Sequence, residues 1–105
     1  MIHLEFDDSK VSDDDARTVS EAVRQIVIDV TGIADVFVYA NSARIKVAVA
    51  PIEIFVRMSD HKITDEKTLF EELKSKLHDW KAQNDFPHPI NLTLIPMHWQ
   101  FDVDI

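Results

Sequence analysis

The chain contains no cysteine among its 105 residues. This excludes a disulfide framework, thiol catalysis and cysteine-ligated zinc, and it fits a reducing compartment, so a bacterial or archaeal cytoplasm is the expected location. A single glycine, Gly32, rules out a glycine-rich phosphate loop. No apolar stretch approaches the roughly 18 residues that a membrane span needs, and the longest, 47–52, already contains Pro51. The opening residues Met1-Ile2-His3-Leu4-Glu5-Phe6 carry neither a basic region nor an apolar run, so no signal peptide is expected. Bases are the scarcer charge, 11 against 19 acids, for a formal −8. A surface of that sign repels phosphate backbones and argues against a nucleic-acid partner.

What is present is a globular composition, 46% hydrophobic and 9% aromatic, in a length suited to one domain over residues 1–105. Ile2, Leu4 and Phe6 alternate with His3, Glu5 and Asp7, the period of a half-buried strand. Ser12 before Asp13, Asp14 and Asp15 reads as a helix N-cap, with Asp15 at the acceptor position of a capping box. Val19, Ala22, Val23, Ile26, Val27 and Val30 then form a helical stripe that stops at Gly32. A second strand is predicted over 36–39, followed by a hairpin arm or short extension carrying Ile45, Val47 and Val49.

Pro51 breaks that run, and Ile52, Ile54 and Val56 open a third strand. Thr64 is the predicted second N-cap, ahead of the stripe Leu69, Phe70, Leu73, Leu77 and Trp80. Two prolines within 84–89 end this helix, and a fourth strand is predicted over 91–95, interrupted by Pro96. Trp99, Phe101, Val103 and Ile105 alternate to the last position as a spare terminal strand. Strand, helix, strand therefore occurs twice at nearly constant spacing. The expected fold is α+β, two β-α-β units forming a four-stranded mixed sheet with both helices on one face. Several strand positions are apolar on both faces, Val36 with Phe37, Ile54 with Phe55 and Leu94 with Ile95, which calls for partner subunits over the uncovered side.

The chemistry-bearing residues are sparse. His3, His61, His78, His88 and His98 lie far apart with no paired ligand spacing, so no metal site and no cofactor is expected. The three aspartates after Ser12 read as a dipole-stabilising helix start, and His88 between two prolines as part of a rigid loop. Arg44 and Arg57 are more informative. Arg57 closes a predicted strand, and a guanidinium there suits bidentate capture of a carboxylate.

The order of elements, with Thr31-Gly32 closing the first helix, the strand Pro51-Ile52-Glu53-Ile54-Phe55 and the late Leu94-Ile95-Pro96, resembles the tautomerase superfamily. The likeness is to its macrophage migration inhibitory factor-like members, and most to a bacterial branch lacking the N-terminal proline. The resemblance implies a homotrimer whose sheets line the inside of a barrel. It also implies proton transfer beside a carbonyl by the secondary amine of a proline after the initiator methionine, with arginines holding the substrate carboxylate. That position is Ile2 here, and the position after Gly32, a lysine in some relatives, is Ile33.

Standard proline-based catalysis is therefore not expected. The ligand-binding candidates are Met1, Ile2, Arg57, Met97 and His98, the last two presented by a neighbouring subunit, and the expected ligand is a small carboxylate. Two other readings are a keto-enol isomerase using the Met1 amine or His98 as base, and a ferredoxin-like module that dimerises through its open sheet face. Removal of an initiator methionine requires a small second residue, and Ile2 is large and β-branched. Intact-mass measurement of untagged protein is thus expected to show Met1 retained, its amine projecting loosely from the strand; a mass one methionine lighter refutes this.

Overall fold

Side-chain alternation makes β1 (Ile2–Phe6) a strand with two unlike faces: Ile2 and Leu4 are fully buried while His3 and Glu5 are half-exposed. In the computed structural model, which describes residues 1–100, 102, 104 and 105, three further strands join it in one sheet. They are β2 (Val38–Asn41), β3 (Ile52–Ser59) and β4 (Asn91–Met97), in the order β2-β1-β3-β4. β1 runs parallel to β2 and β3 parallel to β4, each pair bridged by a helix, while β1 and β3 meet antiparallel at the centre. The expected architecture of two β-α-β units is the one observed. It is not ferredoxin-like, because the two parallel strands of each unit are direct neighbours rather than split by a third.

Helix α1 (Asp13–Thr31) starts as the sequence predicts, with the Ser12 hydroxyl accepting the Asp15 amide at 3.0 Å. The capping box is not completed by Asp15. Its carboxylate turns instead to His88, whose Nε2 lies 2.9 Å away, so the helix start is tied to the loop leading into β4. The His88 ring stands edge-on to Phe86, which packs on Trp80. At the other end Gly32 adopts φ 72°, and its amide donates to Ile28 at 2.8 Å. Helix α2 (Glu66–Gln83) is capped by Asp65 rather than Thr64, since the Asp65 carboxylate reaches the Thr68 amide at 3.1 Å. Val19, Val23 and Val27 of α1 and Leu73 and Leu77 of α2 close the core over Ile2, Leu4, Ile52, Ile54 and Val56.

Three predicted boundaries shift. β2 begins at Val38, because Val36 is buried outside the ladder with its carbonyl accepting from Arg24 Nε at 2.8 Å. β3 runs past Arg57 to Ser59. β4 passes through Pro96, paired with Met58, to Met97; β4 is an edge, where a proline removes no interior ladder bond. The predicted hairpin arm is an irregular segment joining β2 to β3, without strand pairing among the described residues. Of the predicted terminal strand, Phe101 and Val103 lie outside the described residues, and Trp99, Asp102 and Ile105 belong to no strand.

A Cβ at Gly32 would meet nothing within 4 Å, so the cost of substitution there is conformational alone. Gly32→Ala is expected to lower unfolding stability by about 1–2 kcal/mol in urea titrations, with Gly32→Asn recovering part of the loss. An unaltered midpoint for the alanine variant contradicts the left-handed cap.

Candidate functional site

The register across the sheet sorts its uncovered face into rows. Asn41, Glu5, Glu53 and Asn91 lie side by side at one end. Tyr39, His3, Phe55 and Thr93 form the next row. Beyond them Arg57 pairs with Ile95 on one side and Met1 on the other, and Ser59 pairs with Met97 at the far end. Charge is separated along this face. Glu5 holds His3 at 2.7 Å and Glu53 accepts from Asn91 at 3.3 Å at the acidic end. Arg57 sits four residues further along β3, about 13 Å away at the usual strand rise, over an apolar floor. Its guanidinium carbon stands 5.5 Å from the centre of the Phe55 ring, a cation–π placement that leaves the outer N–H groups for an anion.

Met1 is not loose. Its amine donates to the Arg57 carbonyl at 2.8 Å, and the Arg57 amide donates back to the Met1 carbonyl at 2.8 Å. This reciprocal pair corrects the expectation of a free end: the antiparallel ladder between β1 and β3 extends one residue beyond β1 and holds the terminus. The physical consequence is electrostatic. Partial burial, and then the neighbouring Arg57 charge, hold the amine below its usual pKa of 8.0.

The other predicted residues divide. Met97 is half-buried at the Arg57 end, beside Ser59, whose buried hydroxyl has no hydrogen-bond partner among the described residues. Ile2 has no exposure at all; its side chain is core, and its amide donates to Phe37 at 2.8 Å. His98 lies beyond the end of β4, its side chain 87% exposed, with Nδ1 3.8 Å from Asp60 and thus outside hydrogen-bond range. Arg44 lies in the irregular segment between β2 and β3 and belongs to none of these rows. Phe55, His3 and Tyr39 share this face and were not singled out from the sequence, although His3 and Phe55 occupy the odd phase of strands whose even phase is core. Among the described residues no group of three or more His, Cys, Asp or Glu side chains is placed to hold a metal ion.

Comparison with solved structures decides the fold's identity. FG41 malonate semialdehyde decarboxylase inhibited by 3-bromopropiolate superposes with a TM-score of 0.68 at 13% identity, covering 97% of this chain and 88% of that one. A fused 4-OT, an asymmetric trimer, gives 0.63 at 12% identity over 92% of this chain and 85% of its own. The chain has the tautomerase fold. RhCC from Rhodococcus jostii RHA1 also has this fold, with a TM-score of 0.60 at 12% identity, covering 95% and 81% of the two chains. No protein-family model matches the sequence, and no curated protein is detectably similar to it. In this tautomerase-fold chain Ile2 is a core residue, and the Met1 amine is the group hydrogen-bonded to the Arg57 carbonyl.

An amine held below pH 8.0 by burial is neutral over a wider range than an ordinary terminus. The unfolded chain then binds the extra proton between the two pKa values, so stability rises with pH through that window. Acylation of the terminus, followed by mass spectrometry across pH, is expected to reach half its limiting rate below pH 8.0. Arg57→Ala should move that point upward but short of 8.0, because burial is the larger cause. A wild-type midpoint at 8.0 or above contradicts the packing of Met1.

Proposed function

We propose that this protein is a homotrimer that binds a small carboxylate at the Arg57 end of its open sheet face, without proline-based tautomerase chemistry. The observation that carries the reading is the Met1–Arg57 pair, which sets a guanidinium and an amine together on an apolar floor of Phe55, Ile95 and Met97. Glu5 and Glu53 at the far end of the same face repel an anion from there and favour the Arg57 end. The solved relatives support the same choice of ligand and assembly. One is a decarboxylase of malonate semialdehyde captured with 3-bromopropiolate, both small carboxylates, and another is a trimer. An open face with apolar side chains at Phe37, Tyr39, Phe55 and Ile95 is the surface a trimer would enclose.

Catalysis by a proline is precluded by Ile2, and the Met1 amine stands one residue earlier. One strand residue is about 3.3 Å, whereas misplacement of a reacting group by about 1 Å already costs on the order of 10²-fold. Turnover of enolised phenylpyruvate-like acids is therefore expected to be absent or very weak. A second reading keeps a specific observation in its favour: the amine's lowered pKa suits a general base near neutral pH. It predicts measurable turnover that rises with pH and disappears when the terminus is acylated.

Calorimetric titration with α-keto acids tests the binding reading. Arg57→Ala is expected to weaken binding by about tenfold or more, the usual scale for losing a charge-assisted hydrogen bond. Glu53→Gln should leave it equal or slightly stronger. Equal affinity in wild type and Arg57→Ala would falsify the assignment.

A further inference from the structure

Two carboxylates on the open face are placed against each other without a strong counter-charge. Glu5 and Glu53 stand directly opposite in the central ladder, an arrangement in which like charges repel. His3 Nε2 takes Oε1 of Glu5, and Asn91 donates to Oε1 of Glu53. The second oxygen of each carries no hydrogen bond among the described residues, and neither acid pairs with a lysine or an arginine there. Lys46 borders the same place, but its Nζ is engaged 2.8 Å from Asp8.

These acids line a cleft of about 400 Å³ whose other walls include Phe6, Ala43 and Val49. An ammonium group on an alkyl chain suits both features, since its N–H groups match the two free oxygens and its methylenes match the apolar walls. The same face continues from this cleft to Arg57. Phe55 lies between, with the guanidinium leaning back over its ring, 5.5 Å from the centre. From Phe55 to Glu53 is about 7 Å at the usual strand rise. A cation, an aromatic floor and a pair of carboxylates thus follow one another along β3, the pattern of a short dipolar molecule in reverse.

We infer that the ligand of this face is an ω-amino acid, with its carboxylate at Arg57, its methylene chain across Phe55 and its ammonium between Glu5 and Glu53. The inference rests on the carboxylate site proposed above and names the class of molecule that fills it; it does not depend on the oligomeric state. The ammonium also relieves the repulsion between the two facing acids, so the cleft favours a cation over the neutral end of a simple fatty acid.

Calorimetric titration with ε-aminocaproate and hexanoate, which differ only in the terminal ammonium, isolates the acidic end. The wild type is expected to bind ε-aminocaproate about tenfold or more tightly, the scale of one charge-assisted hydrogen bond. Replacing both acids, Glu5→Gln with Glu53→Gln, should bring ε-aminocaproate to the affinity of hexanoate, while Arg57→Ala should weaken the two acids together. The glutamine pair keeps acceptors for His3 and Asn91 and removes the opposed charges, so its thermal midpoint is expected at or above that of the wild type; this separates lost binding from lost folding. Equal wild-type affinity for the two acids, with Arg57→Ala weakening both, overturns the inference and leaves the carboxylate reading in place. A preference for ε-aminocaproate that survives in the glutamine pair also overturns it. Binding of neither acid overturns the inference and the carboxylate reading alike.

Discussion

The central antiparallel pairing of β1 with β3 governs the rest of the molecule. Each β-α-β unit supplies one parallel pair, and this ladder joins the two within the sheet, its register placing Ile2 opposite Val56, Leu4 opposite Ile54 and Phe6 opposite Ile52. Those pairs face the helices and form the middle of the core. A shift of one residue would turn all of them to the open face and bury His3, Glu5, Glu53 and Arg57 instead. The same register carries Met1 to Arg57. The site and the core are thus two faces of one set of hydrogen bonds, and neither can move without the other.

Because the helices take one face, the chemistry is left on the other, and the chain by itself does not cover it. Phe37 and Tyr39 remain about half exposed, and Phe55 and Ile95 are shielded only in part. Enclosure by neighbouring copies would lower the dielectric around Arg57 and the Met1 amine, strengthening any interaction with a carboxylate. Under the proposed function, assembly and ligand binding would be linked, since the half-exposed apolar face is also the one that holds Arg57.

The ends of the elements show how far local sequence reaches. Ser12 and Gly32 were legible because a cap is satisfied within three or four residues of itself. Asp15 was legible as an acid at a helix start but not as the partner of His88, which lies 73 residues away and competes for its carboxylate. Thr64 and Asp65 both qualify as caps by residue type, and which one turns inward depends on how the loop enters α2. Pro96 looked like a stop because a proline breaks an interior strand; it lies within β4 because that strand is an edge, a property of the sheet order.

Arg57 was singled out for its place late in a strand, and Met1 for its likeness to a catalytic position, each without the other. Their hydrogen bond spans 56 residues. Ile2 was a site candidate by position and proved to be core, because side-chain phase in a strand reverses from one residue to the next. Periodicity, caps and the repeated strand–helix–strand spacing were determined by the sequence itself, since each depends on interactions among near neighbours. Only the tertiary structure decided which phase faces the helices, which strands are edges, and that the terminus meets an arginine, because those follow from pairings between segments that no local pattern relates.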